Sequence, residues 1–331
     1  MTKISTHIKE ATTLLQAGEV VAIPTETVYG LGADATKDSA VAKIFQAKGR
    51  PSDNPLIVHI ATLAQLEGIV AHIPRAAKLL IDAFWPGPLT IIFPKGQGLS
   101  NLVTAGLDTV GIRMPNHPVA LEIIRQSNLP IAAPSANTSG RPSPTTAFHV
   151  LEDLADKIPL IIDGGPTGVG VESTVIDCSV EPPIILRPGG ITKEEIQQVI
   201  GNVLLDRSST TSAPKSPGMK YTHYAPKAPL QIVEGSPEFL QAQVLKAKGL
   251  KVGVLATEET KDKYDAHTVL SCGSRKDILT VANRLYDTLR KFDSYELDLI
   301  LSESFSEAGL GQAVMNRLEK AAGHHIIKET D

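Results

Sequence analysis

The chain has 331 residues, of which 42% are hydrophobic, so it can bury a full core and is long enough for two domains. Lys and Arg total 32 against 36 Asp and Glu, and the net charge of −4 means that a nucleic-acid partner would need a local basic patch. The two cysteines, Cys178 and Cys272, form no metal-ligand or disulfide pattern, and we expect them to pack in the core.

The N-terminal segment predicts the compartment. Residues 1–18 have the pattern of an amphipathic helix that ends at Gly18, without the continuous apolar stretch of a signal peptide. No segment approaches the length of a transmembrane helix. We therefore expect a soluble cytoplasmic protein with no membrane partner. The sequon at Asn137 would not be glycosylated there, so its residues need another role.

Short β-branched segments alternate with helical patterns over the first 201 residues. The predicted strands are 19–23, 56–60, 89–93, 110–114, 130–134, 160–163, 173–178 and 184–187. The predicted helices between them are 39–49, 75–84, 118–127 and 192–201. Several of these helices stop at Gly or Pro. Some strands follow one another without an intervening helix, which predicts a mixed sheet.

A linker and a second α/β unit follow. Residues 206–229 are rich in Ser, Thr and Pro and show no apolar period, which is typical of a linker. After them, apolar strand patterns alternate with helical ones, as in a small parallel α/β unit. The predicted organisation is a domain over 1–205, a linker over 206–229 and a domain over 230–331, with no internal repeat.

Signatures of the common nucleotide and hydrolase sites are missing. The sequence has no GxxxxGK[ST], HExxH or GxSxG motif. The glycine-rich segment 164–170 follows a predicted strand, but no helical pattern opens after it. We therefore interpret it as a turn between strands and not as a dinucleotide-binding loop.

Polar side chains gather instead where predicted strands and helices end. They include the cations Lys48, Arg50, Arg113 and Arg187, the donors Ser135 and Asn137, and the loop residues Thr25, Glu26, Thr27 and Tyr29. If the four cations and the donors Ser135 and Asn137 converge, they form an anion-binding hole. A polyphosphate is its natural occupant, with Mg²⁺ completing the neutralisation.

Each of these residues also has an ordinary structural interpretation. Lys48 and Arg50 complement the negative end of a helix. His59, within an apolar run, is a core histidine. Residues 135–139 form a turn built on side-chain hydrogen bonds. Buried arginines are neutralised by Asp or Glu.

Taken together, the motifs resemble those of a known family. In chain order they read PTETVYGLG, KGRPSDNPLIVHI, WPGPLTII, VGIRMP, APSANTSGRPSPT, GVESTVID, ILRPGGIT and SPGMKYTHYAP. This is the order found in the Sua5/YrdC/YwlC family, and the resemblance covers nearly the whole chain. It implies a YrdC-like twisted mixed sheet with helices over 1–205. The linker and a smaller Rossmann-like α/β C-terminal domain resemble the longer Sua5 type.

The resemblance implies an L-threonylcarbamoyladenylate synthase, a nucleotidyltransferase. Such enzymes convert L-threonine, bicarbonate or CO₂, and ATP with Mg²⁺ into threonylcarbamoyl-AMP and pyrophosphate. The product serves the t6A modification at position 37 of tRNA and would be handed to downstream t6A transferase proteins. We expect no stable nucleic-acid binding by this chain.

The resemblance also assigns roles to individual residues. It implies catalytic roles for Lys48, Arg50, Ser135 and Asn137. It implies that L-threonine contacts Thr27, His59, Arg113, Ser135 and Ser173. It implies that ATP contacts Lys48, Arg50, Asn54, Thr109, Asn137, Thr145, Arg187 and Tyr224, with no metal site formed by the protein itself. Residues 216–226 would fold over the nucleotide as a lid, unless their aromatic side chains merely attach the linker to the C-terminal domain.

In this reaction a carbamate attacks an α-phosphate, and the two groups repel each other because both are anions. The reaction therefore requires cations to offset the repulsion and does not require a covalent nucleophile of the protein. Two other functions remain open. One is an RNA-binding module without catalysis, for which 4% aromatic residues give little stacking surface. The other is YrdC-type carbamoyl transfer in hydrogenase maturation, whose longer proteins join acylphosphatase and zinc-finger modules that this sequence lacks.

Overall fold

The computed structural model describes residues 1–206 and 223–329, which form two compact units. The first unit contains the described residues up to 206, except for 140–142 and 169–171. Those two short segments pack with residues 223–329 in the second unit. One unit holds a large mixed sheet and the other a smaller parallel sheet, so the predicted α/β fold class is confirmed.

The first unit contains all eight predicted strands and all four predicted internal helices, with bounds that differ by two residues or fewer. Its strands are β1 (Lys3–Ser5), β2 (Val21–Ile23), β3 (Gly30–Asp34), β4 (Ile57–His59), β5 (Leu89–Pro94), β6 (Thr109–Arg113), β7 (Ile131–Ala132), β8 (Leu160–Ile162), β9 (Thr174–Asp177), β10 (Ile184–Arg187) and β11 (Leu204–Leu205). Its helices are α1 (Ile8–Gln16), α2 (Asp38–Lys48), α3 (Arg75–Phe84), α4 (Asn101–Thr104), α5 (Pro118–Ser127), α6 (Ala147–Leu154) and α7 (Lys193–Ile200).

Two segments differ from the sequence-based prediction. The sequence predicts one helix over 1–18, but the helix begins at Ile8, and the residues before it form β1. Pairing with β8 satisfies the backbone of β1, with Ile4 opposite Ile161. The segment 30–34, for which the sequence predicts no strand, is the fully buried strand β3. Pairing with β2 and β7 overrides the low strand propensity of its glycines.

The large sheet is mixed and has helices on both faces. Its strand order is β1-β8-β2-β3-β7-β4-β6-β5-β9-β10-β11, in which β4 is parallel to β6 and antiparallel to β7. Alternate residues of β2 enter different core clusters, because successive side chains of a strand point to opposite faces. One cluster contains residues of α1 and α5, and the other contains residues of α2, α3, α6 and α7. The central strands are therefore covered on both faces.

The second unit contains a five-stranded sheet in which every pairing is parallel, as the sequence predicts. Its order is β14-β13-β15-β12-β16. Its elements are β12 (Leu230–Glu234), α8 (Pro237–Lys246), β13 (Val252–Ala256), β14 (Thr268–Ser271), α9 (Ile278–Phe292), β15 (Leu299–Glu303), α10 (Gly311–Ala321) and β16 (Ile326–Lys328).

The two cysteines are buried, as expected from the sequence. Cys178 and Cys272 are buried free thiols, and burial raises the pKa of each to about 12, so both stay protonated at neutral pH. Within residues 1–206 and 223–329, no helix has the length and apolar character needed to cross a membrane.

Candidate active site

Lys48 joins two of the motifs. It is the last residue of α2 and is only 2% exposed. Its ammonium donates to the carbonyl oxygens of Ser135 (2.5 Å) and Asn137 (2.6 Å) and lies 3.4 Å from Asn137 Oδ1. The amide of Ser139 donates in return to the carbonyl of Lys48 at 3.0 Å. The charge of Lys48 therefore holds the loop after β7, a larger role than complementing its own helix end.

The end of α2 positions a second cation, Arg50. Gly49 caps α2 with φ of 61°, in the left-handed region that favours glycine. The chain then turns so that Nη2 of Arg50 donates to the carbonyls of Asn54 and Pro55, both at 3.3 Å. Asn54 is 1% exposed, and its Oδ1 has no hydrogen-bond partner in the described part of the chain. A buried acceptor of this kind is costly unless a ligand donor satisfies it.

Arg113 is the centre of a second cluster. It ends β6 and is 3% exposed. Nη1 donates to Thr27 Oγ1 at 2.8 Å, Nε donates to the carbonyl of Gly87 at 3.2 Å, and Nη2 lies 2.5 Å from Oε2 of Glu26. The expectation that an acid neutralises a buried arginine therefore holds here. Sequence reasoning assigned no role to Glu26, for which the only signal is its place beside Thr27.

His59 lies beside this cluster. It ends β4 and is paired in register with Arg113 on the neighbouring strand. It is 4% exposed, and its Nδ1 has no hydrogen-bond partner among the described residues. Burial, and secondly the charge of Arg113, lower the pKa of His59 to about 3. The ring is therefore neutral at pH 7 and can form a hydrogen bond with an uncharged group of a ligand.

Ser173 and Arg187 form the third cluster. Nε and Nη2 of Arg187 donate to the carbonyl of Ser173 at 3.2 and 2.9 Å, and Nη2 also lies 3.3 Å from its hydroxyl. The hydroxyl of Thr90 is 2.7 Å from that of Ser173. Gly189 permits the close approach, because a Cβ there would lie 2.3 Å from the carbonyl carbon of Ser173. Thr90 was not identified from the sequence.

Backbone contacts connect the three clusters. The amide of Ala136 donates to the carbonyl of Tyr29 at 2.8 Å, which joins the loop after β7 to the loop that carries Thr27. The amide of Thr174 donates at 3.0 Å to Pro88, the residue after the glycine that Arg113 contacts. The structure thus places buried cations and hydroxyl groups along one continuous set of neighbouring strands and loops.

Three further residues are expected to contact ATP. Thr109 begins β6 whereas Arg113 ends it, which separates them by about 13 Å at 3.3 Å per residue. Thr145 is buried, with its hydroxyl 3.3 Å from Nδ1 of His149. Tyr224 belongs to the second unit, where its ring centroid is 5.1 Å from that of Tyr286.

Tyr224 packs against side chains of the second unit. Besides Tyr286, its ring has the guanidinium of Arg317 at 6.0 Å from its centroid. Residues 207–222 lie outside the described residues, and with them most of the segment 216–226. The lid and the contact between Tyr224 and ATP stay predictions.

Two family models match the chain. A Sua5/YciO/YrdC model described as telomere recombination matches residues 13–189. A model described as the threonylcarbamoyl-AMP synthase C-terminal domain matches residues 191–323. The chain belongs to the Sua5/YciO/YrdC family. The resemblance found in the sequence is therefore confirmed, including the C-terminal domain of the longer Sua5 type.

Similar full-length proteins carry one name. The threonylcarbamoyl-AMP synthase of Bacillus subtilis (strain 168) is 58% identical over 327 residues, covering 97% of this chain and 94% of that protein. The one from Pyrococcus abyssi is 49% identical, covering 97% and 95%. These relatives imply that this Sua5-type chain is an enzyme.

The fold matches solved Sua5 structures along its whole length. Pyrococcus abyssi Sua5 complexed with L-threonine has a TM-score of 0.93 at 48% identity, covering 98% of this chain and 96% of that one. A full-length HypF structure has a TM-score of 0.51 at 16% identity, which shows a shared fold alone.

The buried state of His59 predicts a specific pH dependence. Below its ordinary pKa of 6.5, the imidazole in the unfolded chain takes up a proton that the folded state, with a pKa of about 3, refuses. The free energy of unfolding should therefore fall as the pH drops from 6.5 towards 3. Between pH 8 and 5 this group contributes a loss of about 2 kcal/mol, at 1.36 kcal/mol per pKa unit.

Urea denaturation at pH 8 and pH 5 measures this contribution. We expect His59→Asn to lose about 2 kcal/mol less than the unaltered protein over that interval. The exposed His72 serves as the control, since His72→Asn should keep the full loss. The same pH dependence in all three proteins would contradict the assignment.

Proposed function

We propose that this protein synthesises L-threonylcarbamoyl-adenylate and pyrophosphate from L-threonine, bicarbonate or CO₂, and ATP. One observation carries the proposal. Lys48, Arg113 and Arg187 are buried on neighbouring elements beside hydroxyl groups, in a chain 58% identical to a named threonylcarbamoyl-AMP synthase. In this proposal the product serves t6A modification of tRNA in the cytoplasm and passes to transferase proteins, without stable binding of tRNA by this chain.

The cluster around Arg113 suits the amino acid. A guanidinium has five N–H donors, and the contacts to Gly87, Thr27 and Glu26 use three, which leaves two of them. Two N–H groups can hold the threonine carboxylate side by side. The neutral ring of His59 and the hydroxyls of Thr27 and Ser173 would then bind the threonine side chain. The complex of Pyrococcus abyssi Sua5 with L-threonine supports threonine as the amino acid that is bound.

The remaining cations suit the nucleotide. We assign Lys48, Arg50 and Arg187 to the phosphates of ATP. The other proposed contacts are Asn54, Thr109, Asn137, Thr145 and Tyr224. Within the described ranges, no group of three or more His, Cys, Asp or Glu side chains could hold a metal ion. Mg²⁺ prefers oxygen ligands, and in this proposal the phosphates of ATP and water supply them.

The reaction then proceeds by positioning and charge stabilisation. The uncharged amine of threonine forms a bond to the carbon of CO₂ and loses a proton, which gives a carbamate. A carbamate oxygen attacks the α-phosphorus, and the bond from that phosphorus to the bridging oxygen breaks as pyrophosphate leaves. Lys48 and Arg50 would offset the charge of the attacking and leaving anions. Ser135 and Asn137 would orient the reacting groups through their loop.

Neither alternative gains support from a specific observation. HypF shares the fold at an identity that carries no functional argument. The full-length relatives are named as synthases, not as RNA-binding proteins.

Removal of one cation should abolish most of the turnover. We expect Lys48→Met to lower pyrophosphate release from ATP, Mg²⁺, bicarbonate and L-threonine by about a hundredfold or more, the scale of losing one preorganised charge stabiliser. Lys43 on the same helix pairs with Glu19 at the surface, so Lys43→Met is the matched control and should keep its activity. Circular dichroism checks that both variants fold. Near-normal turnover of a folded Lys48→Met would rule out this role.

The same assay tests the amino-acid specificity. Valine has nearly the shape of threonine but lacks the hydroxyl, so it would leave the polar groups of His59, Thr27 and Ser173 desolvated without a partner. We expect kcat/KM for valine to be lower by about a hundredfold or more. Omission of bicarbonate, with CO₂ excluded, should stop the reaction for both. Equal efficiency with valine would show that no hydroxyl is recognised.

A further inference from the structure

The second unit contains a cavity that the proposed reaction does not use. It has a volume of about 280 Å³ and lies at the carboxyl ends of β12, β13 and β15. Its lining consists of Val233, Gly235, Ser236, Pro237, Leu240, Thr260, Tyr264, Arg275, Glu303 and Ser304. Every one of these residues belongs to the second unit.

The topology of the sheet favours a ligand at this place. In the order β14-β13-β15-β12-β16, the chain leaves β13 for β14 on one side and leaves β15 for β16 on the other. The connections therefore diverge between β13 and β15. In open parallel sheets, ligands bind in the crevice at the carboxyl ends of the strands where connections diverge in this way. Thr260 follows β13 and Glu303 ends β15, so the cavity lies at that crevice.

A buried carboxylate fixes the cation of the cavity. Glu303 is 5% exposed and accepts hydrogen bonds from Tyr264 Oη at 2.7 Å, Thr257 Oγ1 at 3.3 Å and Thr260 Oγ1. Nη2 of Arg275 donates to it at 2.6 Å. Burial and Glu303 raise the pKa of Tyr264, so the phenol stays protonated and donates. Both carboxylate oxygens of Glu303 thus already accept hydrogen bonds from the protein.

Arg275 is fixed in position, but only some of its N–H groups donate hydrogen bonds within the protein. Nη1 donates to the carbonyl of Ser304 at 2.9 Å, and the guanidinium stacks over the ring of Phe305 at 5.0 Å. Of the five N–H groups, two have these contacts with Ser304 and Glu303, and the other three have no partner among the described residues. The side chain is 45% exposed. A fixed guanidinium with unused donors in a cavity is a binding group for an anion.

Another residue of the lining, Ser236, already binds a carboxylate of the chain itself. Ser236 caps the ten-residue helix α8 and lines the cavity, and its amide donates to Oε2 of Glu329 at 2.6 Å. Its hydroxyl donates to Oε1 of the same residue at 2.9 Å. Because Glu329 occupies both donors of Ser236, the guanidinium of Arg275 is the group that would hold an anion in this cavity. Val233 and Leu240 add an apolar surface to the lining.

We propose that this cavity binds a small organic anion, with a carboxylate or phosphate group held by Arg275 and a short aliphatic body against Val233 and Leu240. The volume of 280 Å³ is about nine times the roughly 30 Å³ that one water molecule occupies in the liquid, which suits a small ligand. The site is separate from the residues assigned to threonine and ATP, so the inference stands whether or not the proposed catalytic function is correct.

Calorimetric titration of the full chain tests the proposal. The phosphate arm uses inorganic phosphate and pyrophosphate, and the carboxylate arm uses malonate and 3-hydroxybutyrate. Because phosphates can also bind at the proposed catalytic site, hydrogen exchange locates the binding in the unaltered chain. We expect at least one arm to bind and to protect residues 233–240 and 257–264.

Arg275→Gln should weaken that binding by at least about tenfold, the scale of one charge-assisted hydrogen bond. Arg284 also pairs with a glutamate of the second unit, Glu258, but does not line the cavity. Arg284→Gln is therefore the matched control and should bind as the unaltered protein does. The proposal is overturned if no anion up to about 20 mM protects these segments, since even a millimolar Kd would be detected. An equal loss in both variants also overturns it.

Discussion

The burial of positive charge is the constraint on which the first unit depends. Lys48, Arg113 and Arg187 are each less than 5% exposed, and an uncompensated buried cation costs several kcal/mol. Much of the compensation comes from carbonyl oxygens of the loops that follow the strands. The cations and the loops therefore fix one another. A site built in this way keeps its positive charge in place before any ligand arrives, which is the condition for strong electrostatic stabilisation.

In the second unit a positive charge is also compensated within the protein, but by a carboxylate. There Glu303 neutralises Arg275 directly, and hydroxyl donors satisfy the rest of the carboxylate. In the first unit Arg113 has such a carboxylate in Glu26, and Arg187 donates to a serine carbonyl. In each unit a guanidinium is thus held in place by acceptors of the chain itself.

Local signals predicted much of the fold, and the failures come from long-range contacts. The helices 75–84 and 118–127 match their predicted bounds, because Pro precedes or begins each and the apolar period is regular. By contrast, β1 exists only because it pairs with β8, more than 150 residues away. The motifs indicated Lys48, Ser135 and Asn137 as a group, which the structure brings together. No sequence pattern indicates that Glu26 pairs with Arg113, since the partners are 87 residues apart.

The origin of the carbamoyl carbon tests the proposed function most directly. The protein is incubated with ¹³C-bicarbonate, ATP, Mg²⁺ and L-threonine, and the products are separated and analysed by mass spectrometry. The account predicts a threonylcarbamoyl-adenylate that carries the isotope, together with an equal amount of pyrophosphate. An adenylate without the isotope, or pyrophosphate release that does not depend on threonine, would contradict it.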